Sequence, residues 1–236
     1  MPDNHSTTAI VEYQIRAENN SMQEWLDVWS DRAEDARVGE PQTAAYAAAI
    51  NLEAPDNVLV FERYQQGDQS LKLHVDRDAH SHLTRTMGDR NMTRRRVMSS
   101  LFNDVDSFGW WGRPQTMDAN ASGHILILLG MRFATPAMRD DFLGLSAQHA
   151  VWCWENEPET TLYSGGLARA DADRELDLKQ GDLVFVMGAT SMEAVIKHRD
   201  EPQHLALGEE MTARGITPEL TFQRSYESTG RGFMWR

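Results

Sequence analysis

Near the start of the chain, hydrophobic positions recur at every second residue and then change period. Ala9, Val11, Tyr13 and Ile15 alternate with Ile10, Glu12, Gln14 and Arg16, which sends successive side chains to opposite faces and predicts a strand. From Met22 the period lengthens. Met22, Trp25, Leu26, Trp29, Ala33 and Ala36 fall along one side of a helix that Ser21 and Glu24 open as a capping box and that ends near Gly39. The Ala-rich TAAYAAAINLE from Thr43, the turn-forming APDN and then VLVFERY from Val58 predict two antiparallel strands. SLKLHVDRDAHSHL has mixed periodicity and predicts a short helix, capped by Asp76 or Asp78, that carries His82 and Leu83.

The same order then recurs. HILILLGMRF from His124 predicts a strand, and Thr135 with Pro136 opens a helix with Met138, Phe142, Leu145, His149 and Trp152 near one face. TTLYSGGLARA and LVFVMGA follow as strands across a polar loop, DADRELDLKQGD, and VIKHRDEPQHLAL brings a histidine pair, His198 and His204. EPQTAAY at 40–46 returns as EPETTLY at 157–163, 117 positions later, and His74 maps to His198. GWWGR at 109–113 lines up with GFMWR at 232–236, both expected as short terminal strands. Residues 84–107, rich in Arg, Met, Asp and Ser, are expected to be helical or irregular. The implied division is a first domain over 1–113, a linker over 114–122 and a second domain over 123–236.

Each half therefore reads β-α-β-β-α-β, the ferredoxin-like order of the α+β class, with one sheet face under two helices. Residues 125–129 are apolar on both sides of their strand and need cover on both faces. The cover for the second face is the matching sheet of the other half, so the chain is read as its own pseudo-dimer.

Composition narrows the partners. With 41% hydrophobic and 25% charged residues, the 236-residue chain has the apolar mass for two packed units. A formal charge of −13 repels phosphate backbones and anionic lipid, so neither nucleic acid nor membrane is an expected partner. The TRRR run at 93–96 reads as a solvated helix face. Cys153 stands alone between Trp152 and Trp154, which excludes an intrachain disulfide, suits a cytoplasmic setting and reads as a small buried hydrophobe.

Several of these features together resemble a family. Glu40-Pro41 and Glu157-Pro158 before the second strand of each half, VLVFERY at 58–64, the histidine after the third strand and the aromatic terminal segments are similar to the antibiotic biosynthesis monooxygenase superfamily, here as a tandem fusion over nearly the whole chain. The resemblance implies two ferredoxin-like repeats packed sheet to sheet as an intramolecular dimeric α+β barrel. It also implies that a terminal strand of each repeat crosses to the other, and that a pocket lies between each sheet and its helices. The implied reactants are a small aromatic, quinol or polyketide-like substrate and dioxygen, with no cofactor. A further pairing of the pseudo-dimer into a homo-oligomer stays open. So do two other classes: a non-catalytic binding or scaffold barrel, and an oxygen-independent isomerase or cyclase.

An oxygenase without flavin or metal must hold an electron-rich ring and remove its proton. His74 matches the recurrent histidine of the family and is the expected base, with a structural histidine at a helix start as the alternative. Tyr64, closing VLVFERY, would orient a substrate oxygen or else fill core. The second half has Gly188 or Ala189 there, which favours a site in the first half. Trp110 and Trp111, on opposite faces of a strand, are candidates to stack a flat substrate. His82 and His198 complete the substrate-binding set, with His149 and His204 secondary. Trp25 and Trp29 read as core. HVDRDAHSH places His74, Asp76, Asp78, His80 and His82 at period 2, a metal-ligand spacing only if the segment is extended, and no metal is expected there. Haem chemistry is less expected, because AIVEYQI lacks the family's Asn and Tyr64 replaces its Trp, although His74 or His198 stays open as an iron ligand.

Overall fold

The computed structural model describes residues 6–18, 21–113, 122–174 and 176–234. The first half runs β1 (Thr7–Ile15), α1 (Met22–Gly39), β2 (Thr43–Asn51), β3 (Asn57–Tyr64), α2 (Asp68–Val75), α3 (Asp78–Asp89) and β4 (Thr93–Asp104). The second runs β5 (Ile125–Arg132), α4 (Pro136–Asn156), β6 (Thr160–Ala168), a two-residue β7 (Asp173–Arg174), β8 (Leu183–Ala189), α5 (Met192–Asp200), α6 (Pro202–Ala213) and β9 (Glu219–Met234). Both long helices start where local chemistry places them. Ser21 and Glu24 form the capping box of α1, and the Thr135 hydroxyl accepts from Met138 N ahead of Pro136 at the head of α4.

The strands pair in the order β1-β3-β2-β9-β5-β8-β6-β4, and β4 returns to β1, so eight antiparallel strands close a barrel with β7 appended to β4. Each repeat keeps the ferredoxin-like order, and each terminal strand crosses over. The end of β4 pairs with β6, and the end of β9 pairs with β2. Alternation along the strands then sorts the core into three. In β3, Leu59 and Phe61 point into the barrel while Val58 and Val60 meet α1. In β5, Leu126 and Leu128 point inward while Ile127 and Leu129 meet the second helical layer. That double burial is why the strand is apolar on both sides. The space between the sheets is packed shut, with a void of only 20 Å³ among Ala47, Phe61, Leu126 and Leu162, about the room for one water.

Several expectations about elements are corrected. Residues 93–104 are a strand, with Arg94, Arg95 and Arg96 exposed on it, not on a helix. Buried Met98, Ser100 and Phe102 alternate along it, and the serine and the charged run hide that period. GWWGR forms a single bridge, Trp110 to Tyr163, and residues 232–234 are the end of a 16-residue strand. The pairing of these two segments holds in another way. Gly109 (φ +66°) and Gly232 (φ +84°) each press against the carbonyl of the other half's tyrosine, where an added Cβ would lie 1.8 Å from Tyr163 O or 2.1 Å from Tyr46 O. The expected helix near His82 starts at Asp78 behind Arg77, without a side-chain cap, and a separate helix, α2, carries His74. Pro202 splits VIKHRDEPQHLAL into α5 and α6. The polar loop before β8 sends Leu176 and Leu178 into the barrel. Residues 114–121 of the expected linker, and Trp235 and Arg236 of GFMWR, lie outside the described residues. Among the described residues no helix is long and apolar enough to cross a membrane.

Candidate functional site

The repeated Glu-Pro phrase builds the same polar frame twice. Glu40 and Glu157 follow the last turns of α1 and α4, and their backbone N–H groups donate to Ala36 O and Cys153 O. In the first half the Thr43 hydroxyl donates to Glu40 Oε2 at 2.8 Å, and His74 Nδ1 lies 2.8 Å from the same oxygen. In the second half the Thr160 hydroxyl donates to Glu157 Oε2 at 2.9 Å, and His198 Nδ1 lies 2.7 Å from it. Tyr46 and Tyr163 complete the two frames, with ring centroids 4.8 Å from His74 and 6.1 Å from His198.

What surrounds the frames differs. Next to His74 stands Arg32, 2% exposed, whose Nη2 donates to Glu40 Oε1 at 2.5 Å and lies 2.8 Å from His74 Nδ1. Nδ1 can either donate to Glu40 or accept from Arg32, but not both. Burial works to raise the Glu40 carboxyl, and hydrogen bonds from His74, Thr43 and Arg32 outweigh it and hold the pKa at about 2. His149 takes the place of Arg32 in the second half. Burial, reinforced by the neighbouring His198 and His204, holds its imidazole down at about 4. Burial and His198 lower His204 as well. With no guanidinium beside it, His198 Nδ1 faces only a carboxylate and a thiol, so Nδ1 donates its proton toward Glu157. Burial opposes the lowering of Glu157, and the bonds from His198 and Thr160 prevail.

Two cavities lie between the sheets and their helices. The one in the first half has a volume of 290 Å³ and is lined by Trp25, Trp29, Tyr46, Glu62, His80 and Asn91 among others. The one in the second half measures 570 Å³, with walls that include Ile127, Leu129, Met131, Phe142, Phe185, Met187, Met192, Leu207 and Met211. Its polar lining residues are Ser146, Tyr163, His198, Arg199, His204, Gln223 and Ser225. The Ser146 and Tyr163 hydroxyls share a hydrogen bond of 2.9 Å, and burial pushes the Tyr163 phenol up.

The expected site residues are distributed differently from the sequence reading. His74 is 1% exposed, lines neither cavity, and sits behind His80, whose ring is 5.5 Å away. Tyr64 is fully buried and donates its hydroxyl to Glu62 rather than facing a pocket. Burial pushes that phenol well up. Trp110 and Trp111 do point to opposite sides, but into packing. Trp111 lies against Phe61 and Phe102 with the Arg63 guanidinium 4.0 Å over its ring, and Trp110 meets Trp154 at 5.0 Å and donates to Ala150 O. His82 is exposed on α3, in a surface recess of 130 Å³ with Val28, Asp31 and Arg32. Of the set, His198 lines the larger cavity. Trp25 and Trp29 are core, 1% exposed each, and also wall the smaller cavity. Glu157, Tyr163 and Ser146 were not anticipated as site residues, although the recurring Glu, Thr and Tyr of EPETTLY carried the signal.

Comparison with solved structures finds the same arrangement along nearly the whole chain. A proposed monooxygenase of Lactobacillus acidophilus NCFM superposes with a TM-score of 0.68 at 11% identity, covering 94% of this chain and 92% of its own. A second, from Fusobacterium nucleatum, gives 0.70 at 10% identity over 95% and 92%. This chain shares their fold. An anthrone oxidase-like protein follows at 0.54 and 13% identity, over 95% and 91%. No protein-family model matches the sequence, and no curated protein does. At these identities the likeness is one of architecture, the tandem dimeric α+β barrel that the sequence resemblance implied.

Proposed function

We propose that the protein is a monooxygenase of the cofactor-independent type acting on an aromatic, quinol or polyketide-like small molecule, with the working site in the second half. The observation that carries this reading is the 570 Å³ apolar cavity with His198, oriented by Glu157, at its wall. An electron-rich ring enters between α4, α5 and the outer face of β5 and β8. His198 Nε2 takes a proton from a phenolic hydroxyl or an activated C–H, and Glu157 stabilises the imidazolium through Nδ1–H. The resulting anion gives an electron to dioxygen. Recombination forms a hydroperoxide, and loss of water leaves a carbonyl, so one oxygen atom enters the product and the other leaves as water. Ser146 and Tyr163 are placed to meet the substrate's oxygen, and the methionines conform to a flat apolar body. The names of the structural neighbours support the reaction class, and the single thiol and reducing setting expected from the sequence go with a cytoplasmic enzyme.

The test is oxygen consumption with an autoxidisable anthrone, a quinol and a polyketide-like phenol, with one oxygen of labelled dioxygen recovered in product. Product formed equally well under strict anaerobiosis would instead identify an isomerase or cyclase. No turnover and no binding of any of them would leave a scaffold barrel.

A further inference from the structure

Two side chains outside the oxygenation chemistry converge on His198 from behind. His149 and Cys153 lie one turn apart on α4 and present the same face, and α5 brings His198 against them. One ligand-type atom from each of His149, Cys153 and His198 lies within 4.8 Å of the other two, all three residues being buried. Cys153 Sγ is 3.9 Å from His198 Nδ1. Around a tetrahedral zinc ion, Zn–S of about 2.3 Å and Zn–N of about 2.0–2.1 Å would put sulfur and nitrogen about 3.6 Å apart. The cluster is therefore within a few tenths of an ångström of chelating distance at that contact.

Independent observations point to a ligand here. His149, 6% exposed, has a buried Nε2 with no hydrogen-bond partner, and Glu157, 7% exposed, has a buried Oε1 with none. The first half supplies an internal control. Arg32 stands where His149 does and Ala36 where Cys153 does, so the same scaffold there offers one imidazole, a guanidinium and a methyl group. Both ligand types are present only in the second half, on one helix face, where they meet a third.

We infer that His149, Cys153 and His198, with Glu157 as the fourth donor, form a binding site for one borderline divalent transition metal ion of the zinc class. Two imidazoles, a thiolate and a carboxylate match the ligand preferences of that class and not those of magnesium or calcium. Binding converts the Cys153 thiol to a thiolate and releases its proton to solvent, so affinity rises with pH. The metal takes His198 through Nδ1, which moves the ring proton to Nε2 and removes the lone pair that the proposed oxygenase base uses.

Cobalt(II) titration of the full-length protein under anaerobic conditions tests this without any turnover. The expected result is one ion per chain, with the visible bands of tetrahedral cobalt and a near-ultraviolet sulfur-to-cobalt charge-transfer band. Cys153→Ser should abolish that band and His149→Ala should retain it, each weakening binding by about 100-fold, at or above the range for outer-shell partners. Arg32→Ala should change nothing in the titration. Absence of the charge-transfer band in the wild-type protein, or unchanged affinity in a Cys153→Ser variant whose circular dichroism is native, overturns the site. Because Cys153 is outside the oxygenation machinery, Cys153→Ser also separates the two readings. Loss of metal binding with dioxygen uptake intact supports both. Metal binding in a protein that oxidises no substrate keeps the site and removes the proposed function.

Discussion

Arg32 and His149 occupy the same turn of equivalent helices, and each faces a histidine held by a glutamate that also accepts from a threonine. From that shared position the two halves diverge. In the first, a permanent cation locks Glu40 and His74 into an enclosed network, Trp25 and Trp29 stack at 6.3 Å beneath it, and Glu62 adds charge to a 290 Å³ space. In the second, Phe142, Ser146 and Met187 stand where Trp25, Trp29 and Glu62 do, and strand register puts Ala189 in the place of Tyr64. The result is a cavity of 570 Å³ with a largely apolar wall and Arg199 as its cation. Exchanging an indole for a hydroxymethyl group removes far more volume than neighbouring side chains can refill, because a packed interior relaxes only in part. A duplicated scaffold can thus keep the same polar frame in both copies and leave a larger cavity beside only one of them.

The largest expected effect breaks this comparison at its histidines. His198→Ala should lower turnover with an autoxidisable anthrone by about 100- to 10,000-fold, the contribution of a general base, while His74→Ala leaves turnover per folded molecule unchanged. An oxygen electrode reads both, and the reverse outcome would move the working site to the first half. Arg32→Ala should destabilise the fold by up to about 3–5 kcal/mol in chemical denaturation, since it takes from Glu40 its fully buried cation and leaves only the more exposed Arg77 at 3.4 Å. His149→Leu, of similar volume and with no charge to strand, should cost less than about 1.5 kcal/mol.

Acid should separate the halves next. His149 is held at about 4 against an ordinary 6.5, so the unfolded chain binds this proton first. The stabilisation, about 3 kcal/mol from a shift of that size, is complete above pH 6.5 and lost as pH falls to 4. Glu40, held at about 2 against 4.5, contributes fully above pH 4.5 and loses its share only as pH falls toward 2. Amide exchange in a pH series should therefore show α4 and α5 opening before α1 and α2, and simultaneous opening would contradict the assignment. The smallest effect sharpens the volume argument. Ser146→Trp, importing the first half's residue, should weaken substrate binding by about tenfold and cost about 1–3 kcal/mol by overpacking, as read by calorimetry.

Much of the fold was legible because local rules and tertiary packing agreed. The capping box at Ser21, the Thr135-Pro136 opening and the two-sided apolar run at 125–129 each appear in the structure as read. The terminal strand β4 was not legible. Its arginines and Ser100 mask the alternation of Met98 and Phe102, and its stability comes from pairing with β1 and β6, which are distant in sequence. The site was half legible. Period and family pattern lead to the histidine positions, but they leave Tyr64 open between pocket and core and Trp110 and Trp111 as stacking candidates, and strand register and packing bury all three side chains against other groups.

What the sequence determined by itself was the duplication: two ferredoxin-like units, written with the same Glu, Thr, Tyr and His at matching places, whose bare sheets had to cover each other. Which half keeps room for a guest was decided only in three dimensions. Cavity volume depends on how side chains from α1 or α4, the sheet and the paired helices fill a shared space, and no one-dimensional period records that sum. The meeting of His149, Cys153 and His198 is of the same kind, since α4 and α5 bring together residues whose spacing along the chain follows no ligand motif.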